Sequence, residues 1–73
     1  MKLQILSLDG SKYDGEASQV TLPTTDGEIT VLKNHIPLIT TLKSGSIRFS
    51  NQNILISGGF AEVTKDKVVV LAN

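Results

Sequence analysis

The chain has 73 residues, no cysteine and a formal net charge of zero, with seven basic and seven acidic side chains dispersed along it. This length predicts a single domain, and the lack of cysteine excludes disulfides and thiolate metal sites. Balanced, scattered charge argues against the basic stripe of a nucleic-acid-binding surface and against a polybasic membrane anchor.

The composition favours β-structure. Val, Ile and Thr supply 20 of the 73 residues, and β-branched side chains fit a pleated, half-buried surface. The first apolar run, Lys2–Leu8, alternates through Leu3 and Ile5 and then shifts to Leu6 and Leu8. That shift predicts a β-bulge or a change of sheet.

Three further segments alternate with period 2, the pattern of a strand with one buried face. They are Glu16–Leu22, Glu28–Val31 and Ser46–Ser50. Near the end of the sequence, Phe60–Val63 is interpreted as another strand. The final segment, Val68–Leu71, is apolar on both faces, which is typical of a central strand or of one covered by a partner.

Turn signals separate these segments at short intervals, because Gly and Asn tolerate positive φ and Asp bonds its own backbone. The predicted turns are Asp9-Gly10, Asp14-Gly15, Asp26-Gly27, Asn51–Asn53 and Lys65-Asp66. Pro23 and Pro37 each interrupt a ladder and are expected at strand ends or edges. Many short strands with such spacing predict a sandwich or a small barrel, and no segment has a sustained helical period.

Two features could suggest chemistry. His35 is the only histidine; no partner at a suitable spacing would make it a general base, so we interpret it as a loop residue that bonds the backbone of its own turn. Gly58-Gly59 could suggest a phosphate loop, but no helix start and no Lys-Ser/Thr follow. We interpret that pair as a tight hairpin or bulge, and we expect no catalytic residue, cofactor or metal.

Three stretches in order resemble one family. The first is Pro23–Leu32 together with Lys33–Leu42, which follows at once. The second is Leu42–Arg48, and the third is Ile56–Val63 with Val68–Ala72. They are similar to the Gly-Glu and His-x-Pro-Leu signature, the Leu-x-x-Gly-x-Ile motif and the Gly-Gly-x-x-Glu-Val motif of the epsilon subunit of bacterial rotary ATP synthases. The resemblance covers residues 1–73, the N-terminal β-sandwich of that subunit.

The sequence departs from the family's usual pattern in two places. Thr30 stands where the family often has Gly, and Lys33-Asn34 stands where Pro-Gly often precedes the histidine. Asn34 can adopt the left-handed conformation that a Gly would supply, so this turn can be preserved.

The resemblance implies a two-sheet sandwich of about eight to ten short, mainly antiparallel strands. It further implies a non-catalytic rotor subunit that links the gamma subunit to the c-subunit ring and helps couple proton or sodium flow to ATP synthesis. Such a subunit lies at the cytoplasmic face of the bacterial inner membrane as a peripheral part of the complex.

The resemblance also assigns surface residues. Those expected to face the c-subunit ring are Asp26, Glu28 and His35. Those expected to face gamma are Ser7, Leu38, Ile39 and Thr40. Turn chemistry alone is sufficient to explain Asp26, whereas Glu28 fits a contact and a turn role equally well.

Typical epsilon subunits continue into a two-helix hairpin, whereas this sequence stops at Asn73 directly after its last predicted strand. The inhibitory and ATP-sensing roles of that hairpin are therefore not transferred. The alternative hypothesis is a small β-barrel carrier or ligand-binding module. Lys43 and Lys65 lack the neighbours of a modified carrier lysine, and Tyr13, Phe49 and Phe60 are too separated to form an oligonucleotide-binding surface.

Overall fold

The computed structural model describes all 73 residues and contains nine β-strands and no helix. The predicted all-β class and strand number are thereby confirmed. The strands are β1 (Lys2–Ser7), β2 (Gly10–Glu16), β3 (Gln19–Thr24), β4 (Gly27–Leu32), β5 (Leu38–Leu42), β6 (Gly45–Phe49), β7 (Gln52–Ile56), β8 (Gly59–Val63) and β9 (Lys67–Ala72). No element is a helix of the length and apolar character needed to cross a bilayer.

The strands form two layers. Sheet I has the order β4-β3-β6-β7, and sheet II has the order β5-β8-β9-β1-β2. The layers join only where Thr24 at the end of β3 pairs with Leu42 at the end of β5. All pairs are antiparallel except β1 with β9, in agreement with the mainly antiparallel sandwich that was expected.

The space between the sheets holds a core of 15 buried residues. Leu22 and Ile47 come from sheet I and Ile5 and Val70 from sheet II, and all four are fully buried. A ring pair also connects the layers: Tyr13 of β2 and Phe49 of β6 have centroids 4.5 Å apart and tilted planes. Tilted aromatic contacts are favourable beyond the area they bury, so this pair helps to close one side of the sandwich.

Several local predictions are confirmed. The β1–β2 register shifts between Ile5 and Leu6, as the change of alternation in this segment indicates. Strand β9 is central in sheet II, between β1 and β8. Pro37 directly precedes β5, and Pro23 lies one residue before the end of β3.

The turn predicted at Asn51–Asn53 is displaced, because the chain turns at Ser50-Asn51 and Gln52 already pairs with β6. The turn predicted at Asp14-Gly15 is wrong. Asp14-Gly15 lies within β2, where Gly15 pairs with Leu3 of β1. The glycine is needed for packing, since a Cβ added to Gly15 would meet the Tyr13 hydroxyl at 2.9 Å. The Tyr13 ring therefore uses the space that a side chain at position 15 would fill.

Three hairpins share a turn that the sequence pattern only partly predicts. In each, a Ser or Thr precedes the turn, and its hydroxyl donates to the carbonyl of the residue three positions on. The pairs are Ser7 with Gly10, Thr24 with Gly27 and Thr64 with Lys67. In the first two the same hydroxyl oxygen accepts the N–H of the intervening Asp, Asp9 or Asp26. The Asp is thus one part of a turn that begins at the hydroxyl residue.

Candidate interaction surfaces

The outer face of sheet II is apolar. Along β8 and β9 the buried residues alternate with outward ones, and the outward Phe60 pairs with Leu71. Leu6 of β1 lies beside Leu71 on the other side. We name as the apolar face the apolar outward residues of this sheet that line its two shallow grooves: Leu6, Ile39, Phe60, Val69 and Leu71. One charged residue, Glu62, lies among them, between Ile39 and Val69.

The apolar face is exposed to a degree that is unusual for such side chains. Ile39 is 76% exposed, and more than half of the surface of Phe60 and of Leu71 is accessible. Clusters of exposed apolar residues on small soluble domains generally mark an interaction site. The sequence pattern of β9, apolar on both faces, was the signal for this surface. No comparable signal identified Phe60.

The four residues expected to face gamma occupy two different faces. Ile39 belongs to the apolar face, and Ser7 borders the groove formed by Leu6, Phe60 and Leu71. Leu38 and Thr40 alternate with Ile39 and point to the opposite side of β5, where Leu38 packs against the core. Both are half-buried, so β5 can present them only along its edge.

The outer face of sheet I is mainly polar, although Leu55 at its β7 edge is exposed. Thr30 of β4 and Thr21 of β3 bring their hydroxyl oxygens to 3.0 Å of each other. Beside them, Arg48 of β6 reaches across β3, and its Nη2 lies 2.9 Å from Oε1 of Glu28. Both partners are about half exposed, so the ion pair contributes only about 0.2–1 kcal/mol. Arg48 was missed at the sequence level, because 20 residues separate it from Glu28.

His35 lies in the connection between β4 and β5. Its backbone N–H donates to the carbonyl of Leu32 at 3.1 Å, and its Nδ1 lies 2.7 Å from the carbonyl oxygen of Ile36. The interpretation of His35 as a loop residue that bonds its own turn is therefore confirmed. Asn34 has the left-handed φ of 66° expected of it, and its N–H donates to the Lys65 carbonyl.

The structure does not bring the two predicted c-ring turns together. Gly27 pairs with Thr24 at one end of β4, and Leu32 pairs with Gln19 at the other. Asp26 and Glu28 lie at the first end and His35 beyond the second. A strand of this length separates its ends by about 17 Å. One partner surface that touches both turns must therefore extend along the whole of β4.

Gly58 and Gly59 form a close backbone contact and no phosphate loop. Both have strongly positive φ, 149° and 142°. A Cβ on Gly59 would overlap the Leu71 carbonyl, and Asn73 donates its N–H to the Gly58 carbonyl. The interpretation of this pair as a hairpin or bulge is wrong, because the flanking strands β7 and β8 do not pair with each other and the β8–β9 register is continuous. No group of three or more His, Asp and Glu side chains is placed to hold a metal ion.

The fold and its surfaces define a small two-sheet β-sandwich with one mainly polar and one mainly apolar outer face. Residues 1–73 match the family model described as the ATP synthase, Delta/Epsilon chain, beta-sandwich domain. The chain belongs to this family.

Relatives include the ATP synthase epsilon chains of Alkalihalophilus pseudofirmus, 37% identical over 76 residues, and of Synechococcus sp. strain CC9311, 43% identical over 77 residues. The chloroplastic epsilon chain of Gracilaria tenuistipitata is 36% identical. These matches cover 99–100% of this chain but only 57–58% of the relatives.

Solved structures agree with the fold. A chain in the Euglena gracilis mitochondrial ATP synthase structure, which contains OSCP, F1 and the c-ring, superposes with a TM-score of 0.84 at 26% identity. That match covers 96% of this chain and 48% of the other. A chain in the Tetrahymena thermophila central stalk and c-ring structure gives 0.81 at 17% identity, covering 99% and 62% of the two chains; at this identity the likeness shows the fold alone.

Proposed function

We propose that this β-sandwich is the N-terminal domain of an epsilon-type rotor subunit of a proton- or sodium-translocating ATP synthase. In this role it links the gamma subunit to the c-subunit ring and helps couple ion flow to ATP synthesis. The observation that supports the proposal best is the exposed apolar face of sheet II. Relatives named as ATP synthase epsilon chains over the full length of this sequence are the second support.

The domain acts in this role without a reaction of its own. Its only histidine is bonded to the Ile36 carbonyl, and its Gly58-Gly59 pair packs against β9. The work of such a subunit is mechanical: it must hold two partners firmly enough to transmit rotation. As part of the complex it lies peripherally at the cytoplasmic face of the bacterial inner membrane.

Gamma is assigned to the apolar face, with Ile39 and Ser7 in the contact. Packing a partner there removes Phe60 and Leu71 from water, and each such side chain is worth about 1.5–3 kcal/mol when fully buried. Leu38 and Thr40 join the contact only if gamma also reaches the edge of β5. The c-subunit ring is assigned to β4 and its flanking turns, with Asp26, Glu28 and His35 as the contacting residues.

The test is binding of gamma by two matched charge variants. Phe60→Glu places a carboxylate in the apolar face and should weaken gamma binding tenfold or more. Thr30→Glu places the same charge on the exposed polar face of sheet I and should leave binding near the wild-type level. Gamma affinity can be measured by titration with purified subunits, after far-UV circular dichroism has established that both variants are folded.

Equal gamma affinity for wild type and Phe60→Glu would remove the apolar face from the interface. Thr40→Glu then distinguishes how far the contact extends. Weaker binding by this variant would include the edge of β5, and unchanged binding would confine the contact to the outer face.

A further inference from the structure

Strand β7, Gln52–Ile56, has a free edge, because it pairs only with β6. The β6–β7 hairpin has a two-residue turn, Ser50-Asn51, in which both residues have positive φ. In such a hairpin the two residues that flank the turn form a hydrogen-bonded pair. The next pair of opposite residues is not hydrogen-bonded, and the two kinds of pair then alternate along the strands. Asn53 and Leu55 therefore direct their backbone N–H and C=O groups away from β6, toward the open edge.

The side chain of Leu55 makes this edge apolar as well as unpaired. Leu55 is 81% exposed and pairs with Ser46 on the outer face of sheet I. Its neighbours Ile54 and Ile56 pack toward the core. An extended chain that paired with β7 would thus satisfy backbone groups and cover an exposed leucine in one step.

The other sheet edges are protected in ways that β7 is not. Strand β2 has Lys12 and Asp14 along its edge, and β4 has Glu28. Strand β5 directly follows Pro37 and joins β3 at its last residue. Charges and prolines on edges oppose pairing with another strand. No charged residue or proline occurs between Phe49 and Ala61.

We propose that the β7 edge pairs antiparallel with the β7 edge of a second copy of this chain. The two-fold axis passes beside Leu55. In this register Leu55 lies opposite Leu55 of the partner subunit, and Ile54 opposite Ile56. A two-fold contact requires a self-complementary surface. The uncharged, apolar centre of β7 meets this requirement, because two copies approach without repulsion and each covers the leucine of the other.

Pairing would join the two copies of sheet I into one eight-stranded sheet. The contact has one short strand from each copy, so it is much smaller than a standard stable interface. We therefore expect a weak dimer that forms at protein concentrations on the order of 0.1–1 mM. It leaves the apolar face of sheet II free.

The first experiment follows amide NMR spectra of the protein from about 10 µM to 1 mM, the range in which a weak dimer forms. Shifts that depend on concentration should concentrate on Asn53–Ser57 and should disappear in Leu55→Lys. Leu55 is exposed, so its replacement by Lys should leave the rest of the spectrum unchanged. Phe60→Lys is the control, and its shifts along β7 should equal those of wild type.

The second experiment uses the lack of cysteine in the chain. Residues in a hydrogen-bonded antiparallel pair have Cα atoms about 5.5 Å apart, within the range that a disulfide can bridge. Leu55→Cys should therefore form a disulfide dimer under mild oxidation at least tenfold faster than Leu8→Cys. Leu8 is the better exposed of the two, at 98%, but lies in the β1–β2 turn.

Two outcomes would overturn the proposal. One is equal cross-linking of the Leu8→Cys and Leu55→Cys variants, which would indicate random collision. The other is a concentration dependence that Phe60→Lys abolishes and Leu55→Lys does not, which would assign self-association to the apolar face. Spectra that do not change with concentration, together with no preferential cross-linking, would equally exclude the β7 dimer.

Discussion

At the scale of single residues, the backbone of Gly59 is the most constrained feature of the sandwich. Its φ is +142°, and an added Cβ would overlap the carbonyl of Leu71 on the neighbouring strand. Only glycine allows β8 and β9 to approach this closely at the start of their pairing. Gly27 has a similar φ of +118°, but nothing lies within 4 Å of the Cβ position.

These two glycines allow strain and steric overlap to be separated. Both Gly59→Ala and Gly27→Ala should lose stability through unfavourable φ, by about 1–3 kcal/mol. Gly59→Ala should lose about 1–3 kcal/mol more, because β8 must move away from β9. Urea denaturation measures both losses. Equal unfolding free energies for the two variants would show that the overlap relaxes at no cost.

Glu28 is the residue whose role the structure changes most. At the sequence level it is a free acidic side chain in a turn, whereas here it is paired with Arg48. Two neutral variants distinguish an internal role from a contact with the c-subunit ring. If Glu28 acts on the ring, Glu28→Gln should weaken attachment to the membrane sector severalfold at low salt, and the effect should fade as salt screens exposed charges.

Arg48→Gln is the matched control, since it breaks the same ion pair and leaves the carboxylate in place. It should preserve or strengthen attachment, because Glu28 becomes free to contact the ring. Identical attachment of both variants, measured by co-sedimentation with membranes that contain the ring, would restrict Glu28 to its pair with Arg48.

At the scale of elements, three of the four hairpins have a Ser or Thr directly before the turn. The three hydroxyl residues differ in burial: Thr24 is 3% exposed, whereas the Ser7 and Thr64 hydrogen bonds are at the surface. A hydrogen-bonding group whose partner is lost costs more when it is buried than when water can replace the partner. The same substitution should therefore have different effects in different hairpins.

Thr24→Val should destabilise the protein by about 1–3 kcal/mol, because the Gly27 carbonyl and the Asp26 N–H lose the buried Thr24 hydroxyl as their partner. Thr64→Val is the matched control and should cost no more than about 0.5 kcal/mol, as surface substitutions usually do. Thermal or urea unfolding measures both. Equal losses would mean that water reaches the β3–β4 turn as readily as the β8–β9 turn.

At the scale of the whole molecule, a chain of 73 residues has little stability to lose. A typical domain of this size has an unfolding free energy of about 4–11 kcal/mol. Both sheets depend on one core, which contains fully buried residues of each, such as Leu22 and Val70. Loss of packing at one of these positions should consequently weaken both layers together.

Leu22→Ala should cost about 2–5 kcal/mol through lost burial and the cavity left behind. The loss should appear as one cooperative transition at lower denaturant concentration, seen identically by circular dichroism and Tyr13 fluorescence. Leu8→Ala removes an equally large side chain from a fully accessible position and should change stability by less than about 0.5 kcal/mol. Separate transitions for the two probes would contradict a single shared core.

The sequence by itself determined the local features of this protein. Positive φ at Asn34, the β1 bulge after Ile5 and the turn at Asp26-Gly27 follow from the preferences of a few adjacent residues, so they could be predicted without the fold. The family could be identified for the same reason, because its motifs are short and their order along the chain is sufficient.

Only the tertiary structure decided how distant segments meet. It paired Glu28 with Arg48, separated Glu28 from His35 by the length of β4, and turned Leu38 and Thr40 away from the face to which Ile39 belongs. It also placed Asp14-Gly15 inside a strand rather than in a turn. Each of these outcomes depends on the register between strands, which is set by the burial of one face of every strand at once. Local sequence does not contain that information, because the side chains that define each register are contributed by other strands.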